Sequence, residues 1–169
     1  INNKSGKYNA MSIYKKFLKN YFENQTITPH LFLINDEDKT IFEDYFNENI
    51  ETLQTIQLLI LMGGDGTIQT ILTNFLKANI VVPVAIVPVG SGNGLFKSIT
   101  YESKKEYSVL ESIKIIKQFI SNHYSSTDNN PPKLQLIKNN ICANLIEIED
   151  TKTNNNLNSF LSVSWGFVS

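Results

Sequence analysis

Two short apolar runs, each breaking into a cluster of glycines, set the strongest limit on how this chain can fold. Gln57 to Met62 ends in Gly63-Gly64-Asp65-Gly66, and Val84 to Val87 opens, past Pro88 and Val89, into Gly90-Ser91-Gly92-Asn93-Gly94. Apolar runs of this length bounded by turn residues read as buried strands. The prolines that flank the second run mark its ends rather than its interior. Between the runs, Thr67 to Ala78 places Ile68, Ile71, Leu72, Phe75 and Leu76 on one helical face. Strand, helix and strand in this order imply a right-handed βαβ unit and a parallel sheet covered on both faces.

The rest of the chain extends that pattern. Met11, Tyr14, Phe17, Leu18, Tyr21 and Phe22 recur at helical spacing. Leu31 to Ile34, ending at Asn35-Asp36, reads as a buried strand, and Thr40 to Asn49 as a helix. A long helix is expected from Ser108 to His123, with Val109, Ile113, Ile116 and Ile120 on its apolar face. Ser125 to Pro132 stops that helix and marks a boundary. Beyond it, Leu134 to Ile137, Ile141 to Ile148 and Asn158 to Val168 read as consecutive strands, with Thr151 to Asn156 as an exposed turn. The expectation is therefore an α/β domain over residues 1–132 and the beginning of a β-rich domain over 133–169.

Composition narrows the partners. Fifteen basic and 16 acidic residues give a formal charge of −1, scattered along the chain. No extended positive field is present for nucleic-acid phosphates. Cys142 is the single cysteine, so neither an intramolecular disulfide nor a cysteine zinc cluster can form, and a reducing compartment fits. His30 and His123 lie far apart without nearby ligand-type partners, so no metal-binding residue is assigned. The longest apolar runs, Leu58 to Met62 and Ile80 to Val89, are well short of the roughly 20 residues of a membrane-spanning helix. Membrane contact would thus be peripheral. The start at Ile1-Asn2-Asn3 and the apolar end from Phe160 to Val168 read as an excerpt of a longer protein.

The glycine turns carry the chemistry. A strand that breaks into glycines and then a helix presents several backbone N–H groups and a helix N-terminus at one sheet edge, which is an anion site. Glycine lets a polyphosphate approach the backbone where a Cβ would block it. In the second turn the Ser91 hydroxyl and Asn93 amide can hydrogen-bond phosphate, ribose or base. Its spacing is not that of the dinucleotide fingerprint, and the chain has no P-loop. Ahead of the first helix, Asn2-Asn3-Lys4-Ser5-Gly6-Lys7 can bring two ammonium groups towards anionic oxygens.

Together these segments resemble the diacylglycerol kinases and sphingosine kinases. Met62-Gly63-Gly64-Asp65-Gly66-Thr67 is similar to the family's GGDGT signature, and Pro88-Val89-Gly90-Ser91-Gly92-Asn93 to its P-x-G-[ST]-x-N loop. Asn2 to Lys7 is similar to its N-P-x-[GS]-G-K loop, with Asn3 in place of the proline. NAD kinases and phosphofructokinases share the first signature. Gly94 after GSGN, and Ser162 to Phe167 in the pattern S-x-x-W-G-F, are more similar to sphingosine kinases. Two departures are Thr70, where many relatives have glutamate, and Ile34-Asn35, where a threonine contact to nucleotide is expected.

The resemblance implies a three-layer Rossmann-like nucleotide domain with a parallel sheet, followed by the start of a β-sandwich lipid domain. It also implies a first strand ahead of Asn2. It assigns Asp65 as the base that takes the proton of a lipid hydroxyl attacking ATP. Nucleotide contacts fall on Asn2, Lys4, Gly63, Gly64, Asp65, Gly66, Thr67, Gly90, Ser91, Gly92 and Asn93. Phe167 would line the lipid pocket. ATP and magnesium are the implied cofactors, a sphingoid base the implied substrate, and the cytoplasm with peripheral membrane association the implied location. A diacylglycerol or ceramide kinase, a silent nucleotide- or lipid-binding module and a Rossmann oxidoreductase stay open as alternatives.

Overall fold

A computed structural model of the protein describes residues 1–6, 10–25, 27–34, 40–102, 107–124, 146–150 and 155–159. In chain order the elements are α1 (Ala10–Tyr14), a π-helical stretch (Lys15–Lys19), α2 (Asn20–Asn24), α3 (Thr40–Glu48), α4 (Ile50–Leu53), β1 (Leu59–Gly63), α5 (Asp65–Lys77), β2 (Val84–Pro88), α6 (Gly94–Glu102), α7 (Val109–Tyr124), β3 (Ile146–Asp150) and β4 (Asn155–Ser159).

The first two strands form the parallel pair expected from the sequence, with Leu59 opposite Val84 and Gly63 opposite Pro88. Alternation along a strand sends successive side chains to opposite faces, and here both faces are covered. Leu61 packs with Phe42, Phe46, Ile68, Ile71 and Phe75 of α3 and α5. Met62 points the other way, among Tyr14, Leu18, Phe22, Ile113 and Ile116 of α1, the π-helical stretch, α2 and α7. Leu61 and Met62 are 3% and 2% exposed, so the sheet lies between two helical layers at their closest packing.

The N-terminal residues join this sheet. The Asn2 amide donates to the Met62 carbonyl (2.8 Å), the Ile34 amide to that of Ile1 (2.8 Å) and the Asn3 amide to that of Ile34 (3.1 Å). Residues 1–3 thus lie between β1 and the segment ending at Ile34, which they meet in a parallel bridge at Asn2 and Ile34. The segment from Leu31 to Ile34 is not the buried strand expected: Leu31 and Leu33 are 43% and 37% exposed, and only Ile34 is bridged. Ahead of that bridge, residues 28–32 and 57–62 face one another across an apolar cavity of about 370 Å³, walled by Tyr14, Leu18 and Phe22 on one side and Phe42 and Phe75 on the other. The Ile1 nitrogen donates to the Phe32 carbonyl (2.7 Å) at its end.

Several elements depart from their expected bounds. The helix after β1 begins at Asp65 rather than Thr67, so the signature aspartate lies in its first turn, with Gly64 as the extended residue before it. It ends where Asn79 takes a left-handed φ of 54°. There the Asn79 and Ile80 amides return to the Leu76 and Phe75 carbonyls, closing a Schellman turn. Leu76, placed on the apolar face by spacing, is 42% exposed. In the first helix the buried positions are Ala10, Tyr14, Leu18 and Phe22, four residues apart throughout. A regular α-helix would rotate that series off one face; the wider π-helical turn at Lys15–Lys19 keeps it on one.

Two helices were not expected: the single turn α4, and α6, although Leu95, Phe96 and Ile99 carry the spacing of the latter. By contrast α7 matches the expected helix, with the Ser108 hydroxyl accepting the Glu111 amide (3.0 Å) as its cap. Strands β3 and β4 form an antiparallel pair, Ile146 opposite Ser159. The expected boundary at 125–132, the strand at 134–137 and the segment containing Trp165 and Phe167 lie outside the described residues.

Met62 tests the layering. Met62→Ala removes the side chain that joins the sheet to α1, α2 and α7, and is expected to destabilise the domain by about 2–5 kcal/mol, read from chemical denaturation. A change within a few tenths would contradict the three-layer packing.

Candidate nucleotide site

Both parallel strands end at the same edge, and three loops converge there. Each is held by contacts that only glycine or a short polar side chain permits. A Cβ on Gly90 would sit 2.3 Å from the Gly64 Cα, and one on Gly6 would sit 2.2 Å from the Val89 carbonyl oxygen. Gly6 also has a φ of +62°, which favours glycine on its own account. Gly64, Gly90 and Gly6 are therefore glycines because the loops press against one another. Gly66 differs: a Cβ there would meet nothing within 4 Å, and the residue is exposed.

Short polar side chains complete the junction. The Asn2 amide group donates to the Thr67 hydroxyl (2.8 Å), and the Asn2 side-chain oxygen accepts the Lys4 backbone amide (2.9 Å). The Gly64 amide donates to the Ser5 hydroxyl (3.3 Å). The Asn3 side-chain oxygen accepts the Met11 amide (3.1 Å), tying the first loop to the start of α1. A Cβ on Gly63 would meet the Thr67 side chain at 2.7 Å, so the strand end and the helix start are also closely packed.

Asp65 is the chemical centre of the arrangement. One carboxylate oxygen accepts the Gly94 amide (2.8 Å), and the other accepts the Leu95 amide (3.1 Å). The signature aspartate thus caps α6 from across the junction, where the helix dipole favours negative charge. Two N–H bonds fix the orientation of the carboxylate, while an ionised carboxylate still has lone pairs available for a further donor.

The second glycine loop is shaped from within. Asn93 is buried at 3% exposure and holds a φ of 53°. Its side-chain oxygen accepts the Gly90 amide (2.9 Å), and its nitrogen donates to the Gly90 carbonyl (2.6 Å) and to the Tyr107 hydroxyl (2.9 Å). Its amide is turned into the protein. Ser91, Gly92 and Lys4 are exposed beside it, and a Cβ on Gly92 would lie 3.3 Å from an Asp65 oxygen.

The structure therefore brings Asn2, Gly63, Gly64, Asp65, Gly66, Thr67 and Gly90 to Asn93 to one edge, with Lys4 at its rim. Lys7 and Phe167 lie outside the described residues. Among the described residues no three histidine, cysteine or acidic side chains gather as a metal site. Sequence reasoning assigned no role to Tyr107, which lies in no motif, or to the Ser5 hydroxyl, which stands within the Asn2 to Lys7 motif.

Residues 1–154 match the family described as the diacylglycerol kinase catalytic domain. The chain belongs to this family. A curated relative, the mitochondrial acylglycerol kinase of Xenopus laevis, is 28% identical over 86 residues, 47% of this chain and 20% of that protein. Among solved structures, that of a candidate diacylglycerol kinase from Bacillus anthracis str. Sterne superposes with a TM-score of 0.50 at 20% identity, covering 69% of this chain and 39% of the other. This chain spans about a fifth of the length of the curated relative.

The domain is therefore one of a lipid kinase family. Among the described residues, no helix is long and apolar enough to cross a membrane.

A pair of alanine substitutions separates the two kinds of glycine. Gly90→Ala is expected to lower thermal stability and nucleotide affinity together, because its Cβ meets backbone atoms that cannot give way. Gly66→Ala should raise thermal stability slightly, its φ being helical, its surroundings open and alanine the better helix former. Equal thermal shifts for the two would contradict the packing described.

Proposed function

We propose that this domain transfers the γ-phosphoryl group of ATP to the primary hydroxyl of a lipid, with Asp65 as the general base and a sphingoid base as acceptor. The observation that carries the reading is the Asp65 carboxylate, fixed by two N–H bonds between the glycine turns. Phosphoryl transfer demands positioning and charge stabilisation more than covalent participation. A carboxylate held at such a junction can accept the proton of an attacking hydroxyl, while the exposed backbone around Gly66, Ser91 and Gly92 and the Lys4 ammonium face the phosphates.

Magnesium would neutralise part of the phosphate charge. With Asp65 the carboxylate at the loop junction among the described residues, the site suits a magnesium ion that would arrive with the nucleotide and keep several waters. Asn2 and Asn93 serve here by shaping the loops.

Support for a sphingoid acceptor is the glycine that follows GSGN and the segment from Ser162 to Phe167. Phe167 would line the lipid pocket. The acceptor resides in a bilayer, so the protein would act in the cytoplasm at a membrane surface. A glycerolipid acceptor is the second reading, favoured by the acylglycerol kinase among its relatives.

Incubating the full-length protein with labelled ATP, magnesium and separate micelles of sphingosine, monoacylglycerol, diacylglycerol and ceramide, then separating the lipids, decides between these. Label on sphingosine alone supports the proposal. Label on a glycerolipid keeps the mechanism and changes the substrate, and no label on any lipid overturns the kinase reading.

Asp65→Asn should reduce turnover by roughly 100- to 10,000-fold if the carboxylate is the base. The same change exchanges one acceptor of the α6 cap for a donor, so a stability loss of about 1 kcal/mol is expected alongside it. Stability loss with near-normal turnover would leave Asp65 as a cap and remove it from the chemistry.

A further inference from the structure

Asn93 adopts a left-handed backbone conformation, which costs a non-glycine residue free energy unless its surroundings hold it there. Its side chain supplies that hold. The two N–H groups of its amide have two acceptors, the Gly90 carbonyl and the Tyr107 hydroxyl, and its oxygen takes the Gly90 amide. The bonds to Gly90 are internal to the loop. The bond to Tyr107 leads out of it, to the residue immediately before Ser108, which caps α7.

The Tyr107 hydroxyl is itself held in place. Its ring lies 5.6 Å from that of Phe96, and the Lys97 ammonium stands 5.5 Å from the ring centroid. Both neighbours belong to α6, the helix capped by Asp65. Through α7, Tyr107 is also anchored to the core at Ile113 and Ile116, each nearly fully buried. Tyr107, 43% exposed but packed on Phe96 and Lys97, therefore references the second glycine loop to α6 and α7. Without that oxygen, one N–H of a buried amide would lose its partner, a penalty the loop can relieve by changing shape.

We infer that Tyr107 is a positioning residue for the nucleotide, acting through Asn93 to keep the Gly90 to Gly94 backbone in its phosphate-facing shape; this rests on the kinase reading above. The hydroxyl contributes to binding because a loop already shaped for its ligand loses less conformational freedom when it binds.

Tyr107→Phe in the full-length protein removes the oxygen and keeps the ring on Phe96 and Lys97. ATP affinity, measured by calorimetry, should weaken by about fivefold, the size of one neutral hydrogen bond. The KM for ATP should rise in parallel, with kcat within twofold and the thermal midpoint nearly unchanged. In an Asn93→Gly background the same substitution should have no further effect on ATP affinity. Unchanged affinity in the single variant, a fall in thermal midpoint as its sole effect, or an undiminished effect in the Asn93→Gly background would each overturn the inference. If the wild-type protein binds no ATP, the kinase reading itself fails, and the inference with it; if wild type binds and Tyr107→Phe binds equally well, only the inference fails.

Discussion

The carboxylate of Asp65 on the first two amides of α6 is the interaction on which the site depends. It links residues 29 and 30 positions apart and makes the two glycine turns one object. Close contact between Gly64 and Gly90 brings the turns together, but packing between two side-chain-free residues has no strong orientational preference. Two directed hydrogen bonds to an ion supply it. Everything else at the edge, including the inward amide of Asn93 and the exposed faces of Ser91 and Gly92, is arranged around that fixed point.

The position of this junction follows from the layering behind it. Leu61 and Met62 are adjacent in sequence and serve opposite cores, so the strand that delivers Gly63 and Gly64 is clamped from both sides. A loop that must hold a carboxylate within hydrogen-bond distance of a separate helix gains precision from such a support. The same clamping explains why the three loops can be short and rich in glycine without losing their shape: their ends are set by the sheet.

Much of this was legible in the sequence, and what was not has identifiable causes. Apolar runs broken by glycine located β1 and β2 and their parallel pairing, and helical spacing located α5 and α7. The strand expected at Leu31 to Ile34 failed because burial of a strand depends on what lies alongside it, and residues 1–3 pair with its last residue alone. Helix α6 was passed over because Gly94 and its glycine-rich approach read as loop, while its cap is contributed by Asp65, about thirty residues earlier. The described site residues of the nucleotide loops converge on one edge, yet motif reading assigned their polar groups to the ligand. The Asn93 amide instead faces Gly90 and Tyr107, and no local pattern in sequence could have named Tyr107 as its partner.

The π-helical stretch in the first helix has a consequence for how the chain can vary. Ahead of it, the Asn3 side chain sets the phase of the helix through the Met11 amide; behind it, Phe22 sets the phase through burial in the core. The widened turn lets both conditions hold in one helix. A regular helix would advance by about 100° for the residue that the widened turn absorbs, so a helix one residue shorter here and regular throughout would meet both conditions equally well. Deletion of one position between Lys15 and Lys19 would therefore be tolerated, whereas deletion elsewhere in the helix would misplace either the loop or the core.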